Sequence, residues 1–175
     1  MGWNSSGSLT GCYATGSVSG TDYVGGLVGE NYSGTLTDCY ATGSVSGTNN
    51  VGGLVGDNYG QITSCYATGA VTGTDWVGGL AGYNENGTLT SCYATGAVTG
   101  TGSSVGGLVG SNENGTLTSC YATGAVAVIG GYFQSVGGLV GWNHYGSLTN
   151  CYATGSVSGT SGVGGLVGRN GGTRT

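Results

Sequence analysis

Proline and lysine are absent from this 175-residue chain. Its charged side chains are seven carboxylates and two arginines, and the formal net charge is -5. A nucleic-acid binder needs Lys and Arg to neutralise phosphates, so that class is excluded. The same lack argues against electrostatic docking on anionic lipid. There is one histidine, His144. A His-Glu-x-x-His protease site needs two, and Cys-x-x-Cys pairs are missing, so no metal site is expected. No apolar run approaches the roughly 18 residues of a membrane-spanning helix. Met1-Gly2-Trp3-Asn4 does not open a secretory signal. The glycine stretches lack the Lys of a phosphate loop, and the calcium-binding Gly-Gly-x-Gly-x-Asp pattern is missing too.

What the chain has is glycine, 43 residues of it, and the glycine is periodic. Cys-Tyr-Ala-Thr-Gly begins at Cys12, Cys39, Cys65, Cys92, Cys120 and Cys151. Val-Gly-Gly-Leu follows each time, starting at Val24, Val51, Val77, Val105, Val136 and Val163. An Asn comes next in every unit: Asn31, Asn58, Asn84, Asn112, Asn143 and Asn170, with Asn4 in the same phase at the front. The steps between Cys residues are 27, 26, 27, 28 and 31 residues. Length varies mostly in the tip before Val-Gly-Gly-Leu and around the Asn turn, as a solenoid with constant strands requires. Val, Thr and Tyr fill the short segments, and no 3.6-residue pattern appears.

These features predict an all-β fold: a parallel β-solenoid of six coils of about 27 residues with a thin core and little capping. It forms one domain over 1–175, with coils near 4–30, 31–57, 58–83, 84–111, 112–142 and 143–169 and a partial coil at 170–175. About three short strands per coil are expected, pairing in parallel at roughly 4.8 Å, so that six coils make a rod on the order of 30 Å long. In Cys39–Ser46, Cys39, Ala41, Gly43 and Val45 share the inward face, while Tyr40, Thr42, Ser44 and Ser46 share the outward one. Leu36 and its equivalents Leu9, Ile62, Leu89, Leu117 and Leu148 fill the wider end. For Val-Gly-Gly-Leu two readings stand. A bend or bulge at the Gly pair turns both Val51 and Leu54 inward, whereas a straight strand points Leu54 out.

Gly26-Leu27-Val28-Gly29 and its four repeats, with Gly79-Leu80-Ala81-Gly82 as a variant, resemble the GLUG motif. Cys-Tyr-Ala-Thr-Gly-x-Val-x-Gly is similar to sequence found between such motifs. The resemblance spans nearly the whole chain. It implies a β-solenoid in a bacterial surface protein, adhesin-like or the non-catalytic part of a peptidase that cleaves immunoglobulin A. It implies no ligand and no catalytic residue. Gly2-Trp3-Asn4 repeats Gly141-Trp142-Asn143, so the sequence reads as starting mid-repeat. Arg174 replaces the Leu of the next coil and would act as a crude cap. Uncapped parallel edges invite end-to-end pairing, and the rod is also a candidate for face-to-face self-association.

Three rows carry the functional expectations. The Asn row reads as a structural ladder at a turn, because Asn tolerates left-handed backbone and bonds locally. The six Cys permit three disulfides, and the rung spacing suits one. Side chains in register do not point at one another, however, so free buried thiols are favoured. The third row is outward. Tyr13, Tyr40, Tyr66, Tyr93, Tyr121 and Tyr152 stand beside Thr15, Thr42, Thr68, Thr95, Thr123 and Thr154, followed by two ranks rich in Ser, Thr and Ala. They form a candidate flat, uncharged binding face.

The expected function is a non-enzymatic structural or adhesive module, extracellular or at the bacterial cell surface, with no cofactor, no nucleic-acid partner and no membrane insertion. One alternative is an ice-binding protein using the flat face, since repetitive Thr or Tyr ranks on flat solenoids resemble antifreeze surfaces. Another is a carbohydrate- or protein-binding module through the aromatic turns: Tyr23, Tyr32, Tyr59, Trp76, Tyr83, Trp142 and Tyr145, and the insertion Ala127–Ser135 with Val128, Ile129, Tyr132 and Phe133. Ice, glycan and a surface protein are therefore the candidate partners. No catalytic residue is assigned. His144 has no sequence-evident partner, and the carboxylates Asp22, Glu30, Asp38, Asp57, Asp75, Glu85 and Glu113 are placed in turns or polar strand positions without a paired column.

Overall fold

A computed structural model describes residues 1–130 and 134–171 as a parallel β-solenoid, with no helix among them. Tyr132, Phe133 and Arg174 lie outside the described residues. Every named strand pairing is parallel and joins equivalent positions of successive coils. Each coil contributes to five sheets rather than three. In the second coil the strands are Val28–Asn31, Thr35–Thr37, Tyr40–Ala41, Val45–Ser46 and Asn49–Gly52.

The extra corners have residue-level causes. The residue before each Cys turns the chain from the Thr strand to the Tyr strand with left-handed backbone: φ is 61° at Gly11, 53° at Asp38, 53° at Ser64, 54° at Ser91, 55° at Ser119 and 53° at Asn150. Gly, Asn and Asp take that conformation most readily. A second corner falls at Gly43 and its equivalents, where the chain bends between the Tyr–Ala strand and the Val–Ser strand. The outward ranks therefore belong to two sheets, with Thr42 at the corner, and not to one flat face.

Inside, the alternation is as expected. Cys39, Ala41 and Val45 are buried, Gly43 is half-buried, and Thr42, Ser44 and Ser46 are exposed. The Gly-Gly pair is a bend: Val51 and Leu54 are both 0% exposed, so the straight-strand reading does not hold. The two residues enter different lobes. Leu36, Cys39, Leu54, Val55 and their equivalents fill the main lobe, whereas Val45, Val51 and theirs fill a second, valine-only lobe. Between the lobes the coil narrows to an Ala–Gly waist. A Cβ built on Gly53 would stand 2.8 Å from the Cβ of Ala67 and 2.2 Å from the carbonyl of Gly79. The strands before and after the bend then lie back to back. A Cβ on Gly56 would meet the Tyr23 carbonyl carbon at 2.5 Å. The invariant small residues of both motifs are thus the places where backbones touch.

Candidate functional site

The Asn ladder runs unbroken through all seven rungs. Each Nδ2 donates to the Oδ1 of the next coil, from Asn4 to Asn31 (2.9 Å), Asn58 (2.8 Å), Asn84 (2.7 Å), Asn112 (2.7 Å), Asn143 (2.8 Å) and Asn170 (2.8 Å). The second Nδ2 hydrogen is used locally. In the Asn84 rung it goes to the Gly87 carbonyl at 3.1 Å. Asn31, Asn58, Asn84 and Asn112 are fully buried, so the ladder satisfies polar groups that water cannot reach.

All six cysteines are free. Cys39, Cys65, Cys92 and Cys120 are buried, while Cys12 and Cys151 are partly exposed. Each thiol lies near the carbonyl two residues back, as in Cys65 to Thr63 at 3.2 Å. Burial pushes the Cys65 thiol up to about 12. It also raises that of Cys151.

On the outward face the tyrosines form a continuous stack. Tyr13, Tyr40, Tyr66, Tyr93, Tyr121 and Tyr152 have consecutive ring centroids 4.9–5.0 Å apart, with planes within 5° of parallel. The threonines from Thr42 to Thr154 follow this stack as an exposed column.

A second cluster lies where the tip strand and the Asn strand lie back to back. Glu30, Asp57, Tyr83, Ser111, Trp142 and Arg169 occupy one register column. Asp57 lies in the strand Val55–Asn58, as a strand position was expected for it, but is only 2% exposed. Its Oδ2 accepts from Asn50 Nδ2 at 3.1 Å and from the Tyr59 hydroxyl at 3.4 Å. Oδ1 is buried without a hydrogen-bond partner. Burial, then the neighbouring Glu30 carboxylate, push the Asp57 carboxyl up to about 7. Tyr23, Asn50, Tyr59, Trp76 and Tyr83 complete a cavity of about 210 Å³ around it. A larger groove of about 570 Å³ shares Trp76 and is lined further along by Trp142, Arg169, Gln134 and several serines. Arg169 lies 5.3 Å over the Trp142 ring.

His144 does have neighbours. Its Nδ1 is 3.6 Å from Glu113 Oε1, and the Tyr83 hydroxyl donates to Glu113 Oε2. The three stand on successive strands of one sheet, Ala81–Glu85, Val109–Glu113 and Val140–His144, and come together only through the register. Among the described residues no three acidic, His or Cys side chains converge as a metal site would require.

The GLUG motif matches residues 20–46, 47–72, 77–99, 101–127 and 134–158. The chain belongs to the GLUG motif family. The fold of this GLUG chain is similar to a crystal structure from Bacteroides ovatus described as a "putative immunoglobulin A1 protease", with a TM-score of 0.69 at 24% identity. The match covers 98% of the GLUG chain and 61% of that chain. No curated protein matches.

Reading the GLUG repeats one unit at a time gave the Asn, Cys, Tyr and Thr columns but missed the Asp57 cavity. Asp57 occupies a column of dissimilar residues, so no repetition drew attention to it. The available signal was position. Tyr23, Asn50 and Trp76 each stand one residue before Val-Gly-Gly and seven residues before Glu30, Asp57 and Tyr83.

Proposed function

We propose that this chain is a structural and adhesive rod of a bacterial extracellular protein and performs no catalysis. The observation that carries this reading is the Asn ladder, buried from Asn4 to Asn143 and continuous to Asn170. With the parallel backbone ladders and the tyrosine stack, it links every coil to the next along one axis, which suits a stiff spacer. The fold shared with the longer Bacteroides ovatus protein supports a bacterial setting. Single-molecule pulling between the two termini tests the rod. Stepwise resistance, coil after coil, is the expected result. Extension at negligible force overturns it. Incubation with immunoglobulin A1 should leave the antibody intact.

A second reading is ice binding, favoured by the exposed threonine column beside the ordered tyrosines. A nanolitre ice assay separates the two readings. Faceted crystals with a freezing gap that vanishes in Thr68→Lys/Thr95→Lys would make this face the active surface. Round, freely growing ice leaves the rod.

A further inference from the structure

We propose that the cavity formed by Tyr23, Asn50, Asp57, Tyr59, Trp76 and Tyr83 binds a primary alkylammonium group, of the kind carried by a free aliphatic amine or a lysine side chain. Three observations converge on it. First, Asp57 is 2% exposed and its Oδ1 lacks a partner, while Oδ2 is held by Asn50 and Tyr59. A buried carboxylate oxygen without a donor is costly, and an N–H donor entering the cavity satisfies it.

Second, the charge around Asp57 is of one sign. Glu30 is its register partner on the preceding coil, and Glu85 also acts on it electrostatically. A neutral hydroxyl would satisfy Oδ1 but leave the like charges opposed. A cation relieves both. The oxygens do not converge on a point as a metal ion demands, and most of the wall is aromatic. Ring faces attract an organic cation and pack against its aliphatic stem.

Third, Tyr23 and Trp76 hold their rings at this cavity from left-handed backbone, with φ of 54° and 52°. Bulky residues seldom adopt that conformation. The neighbouring coil has Asn50 there, at 50°, which takes it more readily. Tyr23 is 51% exposed and Trp76 36%, so these two rings form the outer wall. At about 210 Å³ the cavity suits one small headgroup and not an extended ligand.

The test is an NMR titration of the full chain with n-butylammonium chloride at about pH 8, where Asp57 is ionised, following the Trp76 indole N–H. A saturable shift is expected. Asp57→Asn should weaken binding about tenfold or more, the weight of a charged hydrogen bond. Trp76→Ala should weaken it several-fold, as loss of a cation–π contact does. Circular dichroism confirms that both variants keep the fold. Tetramethylammonium, which has no N–H, should bind more weakly than n-butylammonium. N-acetyl-lysine amide binding tighter than n-butylammonium identifies a protein lysine as the natural source, and the reverse identifies a free amine. The proposal is overturned if no saturable shift occurs, if folded Asp57→Asn binds as wild type does, or if n-butanol, glucose or calcium saturates the site instead.

Discussion

Gly53 and Ala67 meet across the narrowest part of the coil, where a Cβ on the glycine would lie 2.8 Å from that of the alanine. The same contact recurs in other coils, between Gly79 and Ala94 at 2.9 Å and between Gly107 and Ala122 at 3.0 Å. This waist separates the leucine–cysteine lobe from the valine lobe. A methyl group added at Gly53 also runs into the Gly79 carbonyl, which is backbone and cannot step aside. Gly53→Ala should therefore cost about 2 kcal/mol or more, and Ala67→Val about 1–3 kcal/mol, as overpacking does. Urea unfolding of each variant measures both. Ala70→Val, at an exposed position of the same coil, should be nearly neutral.

Asn84→Ala cuts the buried ladder at its centre. It leaves Asn58 Nδ2, Asn112 Oδ1 and the Gly87 carbonyl each short of a partner. Each unsatisfied buried group costs about 1–3 kcal/mol, so a loss of several kcal/mol is expected. Asn170→Ala touches only the last rung, where the side chain is exposed, and should cost far less. Thermal melting of the two variants side by side distinguishes a buried ladder from a row of exposed turn residues, for which the two would cost alike.

The buried Asp57 carboxyl makes stability depend on pH in a stated direction. Its folded pKa, about 7, lies above the ordinary carboxylate value, because burial and Glu30 disfavour the charge. Below about pH 4 the group is protonated in both states and contributes nothing. Between about 4 and 7 the unfolded chain releases the proton and the folded chain keeps it. Stability from this group therefore falls as pH rises through that window and levels off above it. The fall is on the order of 4 kcal/mol. Asp57→Asn should flatten this part of the profile and be the more stable form at pH 8. Equal slopes in the two proteins would show that Asp57 ionises normally.

The thiols should divide by position. Cys39, Cys65, Cys92 and Cys120 are fully buried, whereas Cys12 and Cys151 at the ends of the column are partly open. With the Cys65 thiol pushed up to about 12 by burial, almost no thiolate forms there at neutral pH. A thiol-reactive dye should label two cysteines quickly in the native chain and all six only after unfolding. Mass spectrometry of the labelled peptides locates them. Rapid labelling of Cys92 in the native chain would contradict the packing.

Repetition alone determined much of this protein. Regular spacing of Cys-Tyr-Ala-Thr-Gly, Val-Gly-Gly-Leu and Asn gives a parallel solenoid with each motif stacked on itself, because register pairs equivalent residues in successive coils. The Asn ladder, the tyrosine stack and the inward Cys, Ala and Val positions follow from that and from the period-2 alternation of strands. What the sequence left open was where the chain turns. Left-handed backbone at Asp38 and Ser64, the bend at Gly43 and the arch at Gly53 convert three expected strands into five and fold the outward face at Thr42. Corner angles depend on backbones meeting across the coil, and no one-dimensional pattern records that. The Asp57 cavity and the approach of Glu113 to His144 belong to tertiary structure for the same reason. They join dissimilar residues from different coils, brought together by the arch and the register and not by any repeated motif.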